Sequence, residues 1–183
     1  MIDLCVPTLR QMSRPEYERF VNITRWLIGS DQKVELFEYM LQHMIARHLD
    51  SHFEKRGFPP IRHRRMSDLG RQADVVVSAV ARTGREGRAV LDAFEAVAED
   101  WGRSEGWEPK LLGEEACGPK FLDEALREFE AATPLLKKQI LRVCGLAAAE
   151  DGILTNREAE LLRTVADAIG AGLPPFVLDL EER

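Results

Sequence analysis

Apolar residues recur at three- and four-residue spacing along nearly the whole chain, and no window alternates with period two. The pattern predicts helices and no strands. Ser13, with Pro15 and Glu16 behind it, reads as a helix start. Phe20, Ile23, Trp26 and Leu27 then form one apolar stripe up to Gly29, the expected buried face of this first helix. A second helix is predicted over residues 34–49, with Val34, Phe37, Leu41, Met44, Ile45 and His48 on its apolar side, before Gly57 and Pro59-Pro60 break the run. Residues 69–81 and 89–101 read as a helical hairpin turned around Thr83-Gly84-Arg85-Glu86-Gly87. Residues 102–119, rich in glycine and proline, predict a long irregular connection and a possible boundary. Helices resume over 121–131, 134–149 and 155–170. The expected fold is an all-α bundle of about seven helices in one domain, residues 1–183. Within it lie a first unit at about 13–50, the hairpin at about 67–101 and a second unit at about 120–171, the two units sharing a core.

Asp151 follows Asp31 by 120 residues, and at the same offset Glu38 meets Glu158, Leu41 meets Leu161 and Ala46 meets Ala166. Both stretches read helix, acidic turn, helix, which suggests related units. Asp31 with Glu38, and Asp151 with Glu158, put two carboxylates at each corner, where a hard divalent cation such as calcium or magnesium finds oxygen ligands. The corners are too short for a twelve-residue calcium loop, and Thr155 with Glu158 also makes a capping box. Metal binding at Asp31, Glu38, Asp151 and Glu158 is therefore one expectation and plain helix capping the other.

With 31 acidic and 25 basic side chains the net charge is −6, which together with 45% hydrophobic residues describes a folded chain rather than a disordered one. No apolar run approaches the roughly 18 residues of a membrane span, and no signal peptide is visible after Met1. Three scattered cysteines, Cys5, Cys117 and Cys144, fit a reducing, cytoplasmic compartment. Cys117, beside Gly118-Pro119, is the thiol expected to be accessible, and Cys144, among Ile140, Leu141, Val143 and Leu146, the buried one. His48 and His52 share a helix face, yet the glutamate of a zinc-peptidase H-E-x-x-H motif is missing, and His43 and His63 complete no such site. Phosphate-binding loops and nucleophile elbows are absent as well. The reading is a chain that is not itself an enzyme and carries no certain cofactor. Lys55, Arg56, Arg62, Arg64, Arg65 and Arg71 reverse the local charge, and Arg62, Arg64 and Arg65 are candidates for contact with an anionic membrane surface. Without interleaved aromatics on an acidic protein, nucleic acid is not an expected partner. Trp101 and Trp107 are expected in the core, with an exposed aromatic contact site as the alternative.

The phrases Trp26-Leu27-Ile28-Gly29-Ser30-Asp31 with Leu36-Phe37-Glu38-Tyr39-Met40-Leu41, and Ala148-Ala149-Glu150-Asp151-Gly152-Ile153-Leu154 with Glu158-Ala159-Glu160-Leu161-Leu162, resemble the tellurite-resistance protein B (TerB)-like helical fold. With the Leu9-Arg10-Gln11-Met12-Ser13 lead and the Ser78-to-Gly84 phrase before Leu91-Asp92-Ala93-Phe94, the chain is similar to the C-terminal cytosolic region of bacterial membrane-bound zinc peptidases related to HtpX and the CAAX prenyl proteases. Gln32 stands where the pattern has glycine after the first aspartate. The resemblance implies a non-catalytic regulatory or partner-binding domain, a fragment of a longer protein anchored in the inner membrane. Its partner is then the peptidase domain or another protein. The alternative is a divalent-metal sensor working through the acidic corners.

Overall fold

The computed structural model describes residues 2–30, 36–54, 59–101, 106–149 and 155–172. The helical expectation holds: among these residues there are eight α-helices, two short 3-10 turns and no strand beyond one isolated bridge, His63 with Ala132. All seven anticipated helices form, and an eighth precedes them. This is α1 (Ile2–Leu9), with Pro7 inside it, over residues to which the sequence reading assigned no element.

The chain divides into two compact units, Met1–Phe58 and Pro59–Arg183, where the sequence reading has one domain. The break falls at the glycine and prolines after the second predicted helix, and the irregular stretch after residue 101 lies within the second unit.

In the first unit α2 (Arg14–Ser30) packs on α3 (Leu36–Phe53), and α1 packs on α3. Glu16 reaches back to accept from the Ser13 amide at 2.8 Å and the Ser13 hydroxyl at 2.6 Å, the predicted cap, and these bonds hold the Glu16 carboxyl below its usual range. The start of α2 is pinned to the end of α3: the Tyr17 hydroxyl donates to Asp50, and the Tyr17 ring stacks on Phe53 at 4.4 Å. Burial falls on Val6, Tyr17, Tyr39, Met40, Met44 and Leu49. The predicted inner stripe of α2 is corrected here, because Ile23 is 52% and Trp26 68% exposed. Tyr17 points inward, and the helix is rotated away from the face that hydrophobicity alone selects.

In the second unit α4 (Gly70–Arg82) is the central helix, buried without interruption from Ala73 to Ala81 and packed against α5 (Arg88–Trp101), α6 (Pro119–Glu130) and α7 (Pro134–Ala148). Its small and β-branched side chains let three helices approach it, while Asp74, Ser78 and Arg82 give it one polar stripe. The outer helices bury one stripe each, such as Leu122, Ala125, Leu126 and Phe129 on α6. Helix α8 (Asn156–Ala168) lies on α7.

The irregular segment from Gly106 to Gly113 lies along α4, held by a ladder of side chains one helical turn apart. Asp74 accepts from the Trp107 indole and the Lys110 amide, both at 2.9 Å. Ser78 accepts from the Leu112 amide at 3.0 Å, and Arg82 donates to the Leu112 carbonyl at 2.5 Å. Backbone groups turned toward a helix and away from water must be satisfied, and three side chains at i, i+4 and i+8 do it. Trp107 is seated against Gly70, where an added Cβ would lie 2.9 Å from Trp107 Cδ1. Gly70→Ala is accordingly expected to destabilise the protein by about 1–2 kcal/mol, overpacking outweighing the better helix propensity of alanine. Urea unfolding followed by tryptophan fluorescence measures it, and an unchanged midpoint would mean that the indole yields freely.

Candidate functional site

The two acidic corners are built differently. Glu38 stands exposed in the first turn of α3, in the first unit, and Glu158 stands in the first turn of α8, in the second. Asp31 and Asp151 lie outside the described residues, so the structure places two of the four proposed ligands. Glu158 is fully engaged. Its Oε2 accepts from the Thr155 amide at 2.9 Å and hydroxyl at 2.8 Å, completing the capping box, and its Oε1 accepts from Arg85 at 2.8 Å. Arg85 also donates to the carbonyl of Ala148, at the end of α7, at 2.5 Å. The Arg85 and Glu158 side chains are only 13% and 12% exposed. Arg85 reaches this place from the α4–α5 turn, whose Gly84 and Gly87 take φ of 71° and 57°, a region costly for other residues. One guanidinium thus joins the α4–α5 turn, the end of α7 and the start of α8, bringing to this corner the positive charge that a metal ion would bring. Sequence spacing gave no sign of it, since 73 residues separate the pair.

The internal echo survives in element order but not in burial. Leu161 and Ala166 are buried, whereas Leu41 and Ala46 are half-buried. Among the described residues no group of three or more His, Cys, Asp or Glu side chains is placed to hold a metal. His52 is exposed and packs edge-on against Phe53, with ring centroids 4.9 Å apart.

The expectation that Cys117 is accessible is corrected. It is buried beside Ser78, and burial pushes its thiol up despite the Ser78 hydrogen bond and the nearby Arg82 charge. Cys144 is fully buried, and that alone pushes its thiol up to about 12. Both environments disfavour the thiolate a nucleophile needs. Cys5 is exposed. Trp101 and Trp107 are core residues with ring centroids 5.6 Å apart, as the default reading expected.

The basic strip is partly consumed by structure. Lys55 and Arg56 lie outside the described residues. Arg62 donates to Glu128 Oε1 at 3.3 Å, and His63 Nε2 sits 2.7 Å from Glu128 Oε2, beside the bridge to Ala132. Asp68 accepts from the Arg64 and Arg65 amides, which draws its carboxyl down. The Arg64 and Arg65 side chains are exposed. No helix among the described residues is long and apolar enough to cross a membrane.

That leaves the outer face of α2. Arg19, Asn22, Ile23 and Trp26 lie at i, i+3, i+4 and i+7, all exposed, and line one shallow groove. Among the exposed large apolar residues, Ile23 and Trp26 lie on one helix face with an arginine at its edge. Sequence reasoning found these residues but assigned them to the core, because a stripe has the same spacing whichever way it faces. Comparison with protein-family models, with curated proteins and with solved structures finds no match.

Proposed function

We propose that this chain is a non-catalytic, partner-binding helical module whose contact surface is the outer face of α2. The observation that carries the reading is the exposure of Trp26 beside Ile23, with Arg19 at the edge. Tryptophan and arginine dominate the energetics of protein interfaces, because a large flat side chain loses much water on contact at little entropic cost. The resemblance to the C-terminal regions of membrane-bound zinc peptidases supplies a context: a regulatory domain acting on a peptidase domain of a longer protein.

The test is site-specific photo-crosslinking in cells, with a photoreactive residue at position 22 and a control at Leu135, an exposed apolar residue of α7. A defined adduct from position 22 that Trp26→Ala removes is expected. Equal labelling from both positions, or an adduct indifferent to Trp26→Ala, overturns the reading. Because Trp26 is 68% exposed, its replacement is expected to change unfolding stability by no more than about 0.5 kcal/mol, so a lost adduct reports lost contact and not lost folding.

A further inference from the structure

The same groove is self-complementary, and we infer that the partner seated on it is a second copy of this chain, bound through an antiparallel α2–α2 contact about a two-fold axis between positions 22 and 23. This rests on the reading of α2 as the contact surface and specifies its occupant. Arg19 and Trp26 lie seven residues, two turns, apart on one face, so along a single helix they are about 10 Å from one another. An antiparallel copy removes that separation. With the axis between 22 and 23, Arg19 faces Trp26 of the second copy, Trp26 faces Arg19 of the second copy, and at the centre Asn22 packs beside Asn22 of the second copy on one flank and Ile23 beside Ile23 on the other. The contact contains two guanidinium–indole pairs, the strongest of the side-chain cation–π combinations, around two isoleucines. An isologous contact uses each patch twice and closes on itself, so it gives a dimer and not a filament. A parallel arrangement would set Arg19 against Arg19 and Trp26 against Trp26, leaving like charges together. The patch is one helix face, small beside the roughly 1,200 Å² at which specific interfaces begin, so the dimer is weak and reversible.

The experiment is sedimentation velocity on the full chain over a wide concentration series, beside oxidative crosslinking of Asn22→Cys in a Cys5→Ser background, since Cys5 is the exposed native thiol. Wild type is expected to shift from monomer to dimer with concentration. Trp26→Ala and Arg19→Glu are each expected to weaken the dimer at least tenfold, and the position-22 thiol to crosslink to itself where a Glu18→Cys control, outside the groove, does not. Circular dichroism confirms that the variants remain folded. A chain monomeric throughout, or a dimer that both substitutions leave intact, overturns the inference. If the chain is monomeric while the cellular adduct at position 22 contains a different protein, the self-pairing alone fails and the partner-binding reading stands. If no position-22 adduct forms either, both fail.

Discussion

Arg85→Ala is expected to lower the unfolding free energy by about 3 kcal/mol, the low end of what removing one partner from a buried ion pair costs. The reason is what is left behind. Glu158 Oε1 and the Ala148 carbonyl lose their common donor in a place where both side chains of the pair are nearly nine-tenths buried. An unpaired carboxylate out of water is costly, whereas the same pair on the surface would be screened and worth well under 1 kcal/mol. Arg85→Lys is expected to recover only part of the loss, because both bonds leave from the one terminal nitrogen Nη2 and the lysine ammonium, though charged, sits on a stem one bond shorter. Glu158→Gln alone should cost less than Arg85→Ala, since the amide oxygen still accepts one bond. Adding it to Arg85→Ala should cost little more, giving a coupling in the double-mutant cycle. Urea unfolding of the wild type and the four variants checks this, and a loss below about 0.5 kcal/mol for Arg85→Ala, typical of surface substitutions, would show that the guanidinium does not hold the three elements together.

The second large effect is expected at Asp74. Asp74→Ala strips the acceptor from the Trp107 indole and the Lys110 amide together and should cost about 2–4 kcal/mol, on the order of two bonds lost with the buried indole left without an acceptor. Asp74→Asn is the informative contrast. Burial raises the Asp74 carboxyl above its ordinary 3.8, more than the Lys110 and Trp107 hydrogen bonds and the nearby Lys110 and Arg71 charges lower it. A carboxyl with a higher pKa folded than unfolded binds more protons in the native state, so its contribution falls as pH rises from about 3.8 through the raised value and stays low above it. Asparagine resembles the protonated form in shape and keeps an oxygen acceptor, yet has no proton to lose. Asp74→Asn is therefore expected to gain stability relative to wild type as pH rises through that window, and to equal or exceed it at neutral pH. Unfolding midpoints of the two proteins at pH 4, 5.5 and 7 decide it: a variant that loses ground as pH rises would mean that the ionised carboxylate is the favoured partner of the strap.

Helix count and position were legible because amphipathic spacing and end signals are local. Ser13 with Glu16, Thr155 with Glu158 and the glycines of the α4–α5 turn act over a few residues and need no knowledge of the rest of the chain. The all-α class followed, as did the burial of Trp101, Trp107 and Cys144. Helix α1 was not anticipated: it is only eight residues long and carries an internal Pro7, which disfavours a helix when local signals are all there is. Cys117 was misplaced because a glycine and a proline mark a break in regular structure, which the sequence reading equated with exposure, whereas the Cys117 side chain turns inward beside Ser78 of α4.

By itself the sequence determined where the chain is helical, where helices start and stop, and which carboxylates stand in first turns. Only the tertiary structure decided which side of α2 faces inward, that Asp74, Ser78 and Arg82 clamp a distant loop, and that Arg85 rather than a neighbouring residue meets Glu158. The physical reason is range. Capping and periodicity depend on residues three or four apart, but burial and ion pairing depend on which surfaces meet after loops of 30 to 70 residues close, and one apolar stripe is compatible with a core, a loop or a second molecule.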